Sequence, residues 1–201
     1  MEDKQMSKHS AVYFYLNWAK ERIDEMDAVL ASLEANVAEV QADARAKANK
    51  ALTDMRKKRD DFRDTLKKLA DANEAEWVSE KARLQSVWNI FETEVQKYVE
   101  SAEQQQTTFK DQAAAQVKAW RDAAQNIRSG AKEFAVEHRG EIEATLKQME
   151  ADAAAAEEKL QKVVNEAGKQ SWSALTTAMA ETRAAFDRAN KAVHDAFNRR
   201  A

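Results

Sequence analysis

The sequence predicts an all-α protein: an elongated helical hairpin or bundle of three to five long helices, with coiled-coil packing and an internal repeat of about 95 residues. Three observations carry this expectation. The 201 residues include no proline and three glycines, Gly130, Gly140 and Gly168. Folds rich in strands draw their tight turns from those two residue types. Ala, Glu, Lys, Gln, Arg and Leu dominate, and all are good helix formers. Apolar residues also return at seven-residue intervals along most of the chain, the signature of a packed helical seam.

The elements follow in order. Leu16, Ile23, Leu30, Val37, Ala44 and Ala51 form one row, and Ala19, Met26, Leu33 and Val40 form its companion. Lys47 breaks the second row, after which the frame jumps by four to Met55, Phe62 and Leu69. Such a jump reads as a stutter. No breaker interrupts residues 10 to 72, so one long helix is expected there. Asn73 follows as a candidate left-handed C′ residue, and Glu74 and Glu76 suit the start of the next helix. Its seam is Trp77, Leu84, Phe91 and Tyr98, with Trp88 and Val95 alongside. Near the C-terminus Gly168 ends a helix, and Trp172, Met179, Phe186 and Val193 form a new seam.

These two turn regions align at a 95-residue offset: Asn73 with Gly168, Trp77 with Trp172, Phe91 with Phe186. One elongated domain over 1–201 is therefore expected, with repeat 1 at about 10–103 and repeat 2 at about 105–200. Trp18 and Trp120 pair only at an offset of 102. The middle admits two readings. Gln104–Thr108 and His138–Glu141 are candidate turns; alternatively one helix runs from 74 to 167, with the two flanking arms folded back along it.

Composition narrows function. Charged residues make up 33%, yet the net charge is -3, so acids and bases are interleaved. That suits solvated helix faces with i,i+4 pairs and gives no basic stripe for nucleic acid. The run Arg56-Lys57-Lys58-Arg59 is followed by Asp60, Asp61 and Asp64. A solvated, internally paired face is favoured there over phosphate contact. Without cysteine the chain has no disulfide framework, which agrees with a reducing compartment. The N-terminus lacks an apolar signal core, and no apolar run approaches the ~20 residues of a membrane span. A cytoplasmic protein is expected.

No catalytic, cofactor-binding or metal-binding residues emerge. His9, His138 and His194 are isolated, whereas zinc needs about four N/S ligands. Ser129-Gly130 and Ser171-Trp172-Ser173 lack a nucleophile elbow, and there is no phosphate-cradling glycine loop. An enzyme is not expected, and neither is a small-molecule substrate.

The tryptophans are the most informative residues. Trp18, Trp77, Trp88, Trp120 and Trp172, with Phe186, are candidate core anchors; the alternative is a face that opens onto lipid. Tyr13, Phe14 and Trp18 belong to an aromatic run whose members point all round a helix. One partner helix cannot bury them all, which points to an anchoring or oligomer patch. Alanines fill much of the seam, including Ala113, Ala124, Ala131 and Ala153. They bury little area at ~25 cal/mol per Å², so a homodimer or larger assembly is expected.

The segments Ala70–Trp77 and Asn165–Trp172, each followed by a helix reaching Phe91 or Phe186, resemble the helical-hairpin pattern of small bacterial coiled-coil stress-response proteins, a family linked to apolipoprotein-like helical proteins. The match covers about a third of the chain. The resemblance implies a soluble bacterial coiled-coil protein without catalytic residues. The chain lacks the proline-punctuated repeats of apolipoproteins. Phasin-like granule coat proteins are a further similar type. Two functions are therefore carried forward: a non-enzymatic scaffold or stress-associated protein acting by self-association, and a peripheral binder of lipid or granule surfaces.

Overall fold

A computed structural model of the protein describes residues 2–37, 42–69, 72–99, 102–131, 136–169 and 171–198. Among these there are six α-helices and no strand: α1 (Glu2–Val37), α2 (Ala42–Lys68), α3 (Glu74–Tyr98), α4 (Ala102–Ala131), α5 (Val136–Glu166) and α6 (Trp172–Asn198). They pack as an all-α bundle.

The single helix expected over 10–72 is two helices folded back on each other. Arg56 pairs with Glu34 at 2.7 Å, and Arg63 with Asp27 at 2.8 Å. In one straight helix the 22 residues between Glu34 and Arg56 would span about 33 Å. Helices α1 and α2 are therefore antiparallel. Ala38, Glu39, Val40 and Gln41 hold no breaker, so propensity cannot mark the reversal. The register jump beyond Lys47 falls inside α2 and does not mark the change from one helix to the next. Continuous helix over 74–167 is corrected in the same way. Arg121 meets Glu157 at 2.7 Å and Arg128 pairs with Glu150, so α4 and α5 are antiparallel. The candidate turn at Gln104–Thr108 lies inside α4, and His138–Glu141 lies inside α5. Gly140 has open space beside it and needs no special backbone angle.

The other two turns fall where expected, with different chemistry. Asn73 is extended (φ −82°, ψ 169°) rather than left-handed, and it caps α3. Its Oδ1 accepts the Glu76 N–H at 3.1 Å, and Glu76 Oε2 accepts the Asn73 N–H at 2.9 Å. This reciprocal capping box satisfies two orphan helix donors. Gly168 sits in a short 3₁₀ turn, Ala167–Lys169, without a positive φ. Ser171 Oγ then accepts the Ala174 N–H and opens α6.

The apolar interior forms three clusters. One cluster joins α1, α2 and α3 around Trp18, Met26, Met55, Phe62, Trp77 and Phe91. The remaining buried apolar residues lie on α4, α5 and α6, around Phe109, Trp120, Met149, Leu160 and Phe186. Only the half-buried Trp172 reaches across from α6 to the first cluster. By its apolar clusters alone the chain groups into two three-helix units, α1–α3 and α4–α6, while the most extensive helix contact, α1 on α4, runs between them.

The units share a spacing. Glu34–Arg56 and Arg128–Glu150 both bridge 22 residues, and Asp27–Arg63 and Arg121–Glu157 both bridge 36. Residue 128 stands to 34, and 121 to 27, at the same offset of 94. The signs of the charges are exchanged between the two hairpins. Buried residues agree at that offset: Met26 with Trp120, Leu33 with Ile127, Leu52 with Leu146, Met55 with Met149. Phe91 and Phe186, both buried, stand 95 apart, one residue more than that offset. Trp18 and Trp120 are not equivalents at this spacing.

Helix α1 is the centre of the bundle and packs against α2, α3, α4 and α6. From Phe14 to Leu33 only Ala31 is exposed. That explains why the aromatic run at the start of α1 points all round the helix. Several helices of the same chain cover Phe14, Tyr15 and Trp18 in this run, while the Tyr13 side chain lies outside the described residues. The whole chain exposes 11285 Å², against about 9500 Å² for a compact monomer of its mass. The excess fits long, thin helical units.

Candidate functional site

Where the two units meet, the interior turns polar. Helix α1 presents Asn17, Glu21, Arg22, Glu25 and Ser32 to this joint, all buried. Helix α4 supplies Thr108 and Gln116, and α6 supplies Arg183 and Asn190, also buried. At the centre Arg183 grips Glu25 with two hydrogen bonds of 2.9 Å, from Nε to Oε1 and from Nη2 to Oε2. The bidentate fork suits a buried carboxylate. Arg183 Nη1 also pairs with Glu92 on α3. Gln116 Nε2 donates to both Glu21 and Glu25. Arg22 pairs with Glu21 and reaches Asp187 at 3.1 Å.

Further contacts extend the joint in both directions. Ser32 and Thr108 share a hydrogen bond of 3.1 Å, and Asn126 donates to Asn17 at 3.3 Å. Lys20 and Lys118 bracket Asp24 and Asp122. Asn190 donates to the Phe14 carbonyl at 2.8 Å. Aromatic faces line the cations: Arg22 lies 5.5 Å from the centroids of both Trp18 and Trp88, and Arg183 lies 4.9 Å from Trp88. Cation–π contact of this kind strengthens when water is excluded.

Electrostatics follow from burial. Burial opposes the charge on Arg183, but Glu25 and Glu92 outweigh it and hold the guanidinium above its ordinary value. Arg22 is shifted the other way by burial, with Arg183 adding repulsion against the attraction of Asp187 and Glu25. Burial also lowers Lys81, whose ammonium rests 5.0 Å from the rings of Phe14 and Trp18. Glu21, Glu25, Glu92 and Asp187 all hydrogen-bond or pair with these cations or with Gln116. Chemically, the arrangement fixes α1 against α4 and α6. Among the described residues no group of three or more His, Asp or Glu is placed to hold a metal ion.

The sequence-predicted residues lie beside this joint or behind it. Trp18, Trp77, Trp88, Trp120 and Phe186 are buried, Phe14 and Trp172 are half-buried, and the Tyr13 side chain lies outside the described residues. Trp77 stacks on Tyr15 at 5.3 Å, and Trp18 faces Phe62 at 6.2 Å. In the other unit Trp120 meets Phe186 edge-on at 5.2 Å. The structure therefore gathers Phe14, Trp18, Trp77 and Trp88 in one unit and pairs Trp120 with Phe186 in the other. The joint's own charged residues escaped the sequence reading. A signal existed: Arg183 falls between Met179 and Phe186, and Gln116 between Ala113 and Trp120, each on a seam face.

The basic run on α2 is fully engaged. Arg56 pairs with Glu34, Lys57 with Asp61, Lys58 with Glu94, and Arg59 with Asp27 and Asp60. Lys58 and Glu94 sit 2.9 Å apart, each about a quarter exposed. Lys58→Ala is expected to cost under about 1 kcal/mol, less in high salt, read as a small fall in Tm. The alanine-rich surfaces leave open grooves, of about 580 Å³ between α5 and α6 and about 500 Å³ between α4 and α5. Ion pairs flank them: Lys159–Glu181 in the first, Arg128–Glu150 in the second. Neither groove gathers convergent catalytic groups.

No helix among the described residues is long and apolar enough to cross a membrane. Comparison with protein-family models, curated proteins and solved structures gives no match to this chain.

Proposed function

We propose that this protein is a non-enzymatic helical scaffold that acts through self-association, and that an internal repeat of one three-helix unit builds it. The observation that carries this reading is the contrast between the apolar clusters within α1–α3 and within α4–α6 and the polar joint where these helices meet. Polar surfaces of this kind characterise contacts that form and part, rather than the permanent core of one domain. The partner proposed is a second copy of the chain. The stress-associated, cytoplasmic setting rests on the resemblance of the two turn segments alone. Light scattering of the pure protein over a wide concentration range is expected to show a rise from 22.7 kDa toward twice that mass. A mass fixed at the monomer value would remove self-association.

A second reading, a peripheral binder of lipid or granule surfaces, is favoured by one feature. The apolar stripe of α6, Leu175, Met179, Phe186 and Val193, is buried, while its other face carries Glu181, Arg188 and Lys191 among small residues, an amphipathic pattern of the kind interfacial helices use. Four of the five tryptophans are buried, so a bundle that opened onto lipid would change their emission. On this reading anionic liposomes produce a saturable spectral shift. An unchanged spectrum with both neutral and anionic liposomes would eliminate it.

A further inference from the structure

We infer that a second copy of the chain docks on the outer face of α5, helix against helix, antiparallel about a two-fold axis between Ala151 and Ala154. This rests on the self-association reading and gives it a surface.

Helix α5 carries two seven-residue rows on opposite sides. The inner row, with Ile142, Leu146, Met149, Ala156 and Leu160, is buried against α4 and α6. The outer row runs through Ala144, Lys147, Ala151, Ala154, Glu158 and Gln161, and every member is exposed. Its steps alternate three and four, the spacing of a seam between two helices. Open grooves border this ridge on both sides, toward α4 and toward α6.

The other unit shows what a solvated face of this fold looks like. At the 94-residue offset the same row on α2 holds Lys50, Thr53, Lys57, Asp60, Asp64 and Lys67, all exposed. Its charges are engaged locally: Lys57 with Asp61, Asp60 with Arg59, Lys67 with Asp64. On α5, Ala151 and Ala154 stand where α2 has Lys57 and Asp60. Lys147 and Glu158 have no ion pair among the described residues.

Charge complementarity selects the occupant. About the stated axis the outer row maps onto itself. Ala151 faces Ala154 of the second copy, Lys147 faces Glu158, and Ala144 faces Gln161. A two-fold interface demands such self-matching, and each contact then occurs twice. A shift of one heptad sets Lys147 opposite Ala151 or Asn165, and Glu158 opposite Gly140 or Ala154. The central register is the one that joins the charges. The bordering acids Glu150 and Glu157 are already held by Arg128 and Arg121 of their own chain, which limits repulsion across the seam. Alanine at the centre lets the two helix axes approach to about 8 Å. It also buries little apolar surface, so the dimer belongs to the small, transient class and weakens in salt.

Lys147 and Glu158 lie 11 residues apart, about 16 Å along the helix, too far to pair within one chain. Exchanging their charges therefore reads contact between chains. Lys147→Glu and Glu158→Lys, each alone in the full chain, set like charges opposite one another twice. Each is expected to raise the dimer dissociation constant about tenfold at low salt, by sedimentation equilibrium. An equimolar mixture of the two variants matches the charges again and is expected to associate as tightly as the native chain. Ala154→Arg wedges the seam and is expected to abolish the dimer, with the circular dichroism spectrum unchanged because the site faces water. A native chain that dimerises while these variants dimerise equally well would overturn this surface and leave self-association standing on another. A mixture that associates no better than its components would overturn it too. A native chain monomeric at every concentration would overturn both readings.

Discussion

Leu30→Asp is expected to abolish the cooperative thermal transition. Leu30 is 3% exposed, in the middle of the central helix and within the cluster formed by α1, α2 and α3. Removing a buried leucine side chain costs about 2–5 kcal/mol. An unpaired carboxylate in its place adds several kcal/mol more, or is forced to take up a proton. The sum rivals the whole stability of an ordinary domain, about 5–15 kcal/mol. Because α1 also carries the joint, the second unit loses its main neighbour when the first fails. Circular dichroism on heating is the measurement. A sharp transition at the native Tm would mean that α1 is not the buried centre.

Arg183→Ala comes next in size. The substitution removes the bidentate grip on Glu25, the pair with Glu92 and the contact with Trp88. Glu25, with no exposed surface, would keep only Gln116 of these partners. Stranding one member of a buried pair costs about 3–5 kcal/mol, which for a chain of this length lowers Tm by roughly 6–20 °C. Replacing both partners, Arg183→Met with Glu25→Leu, is expected to recover most of that loss, since the penalty lies in the unpaired charge. Denaturant midpoints of the single and double variants separate the two effects. A loss under about 1 kcal/mol for Arg183→Ala would show that water already reaches Glu25 and that the joint stands open in solution.

Helical class was legible in the residues themselves. Without proline, and with glycine only at three positions, the chain has few ways to make anything else. Much of the seams was legible too: Ile23, Leu30, Met55, Phe62, Leu84, Phe91, Met179 and Phe186 were all assigned to rows and are buried, whereas Tyr98, assigned to the α3 row, is exposed at the end of its helix. Asn73 and the region of Gly168 and Ser171 announced turns because their side chains or small size have a local job at a helix end. The ends of α1 at Val37 and of α4 at Ala131 left no such mark. Good helix formers flank both, and a heptad row reads the same whether its helix continues or folds back.

The joint was illegible for a different reason. Periodicity sorts residues into apolar and polar faces, and a polar residue is assigned to solvent by default. Glu21, Glu25 and Gln116 violate that default only because α1 is covered by several helices at once. Sequence alone determined what each helix is and which apolar stripe it must hide, since both follow from the local chain and the cost of wetting carbon. Tertiary structure alone decided where the chain doubles back and which charged side chains meet inside. A buried charge is tolerable only beside a partner, and here the partner of Glu25 stands 158 residues away.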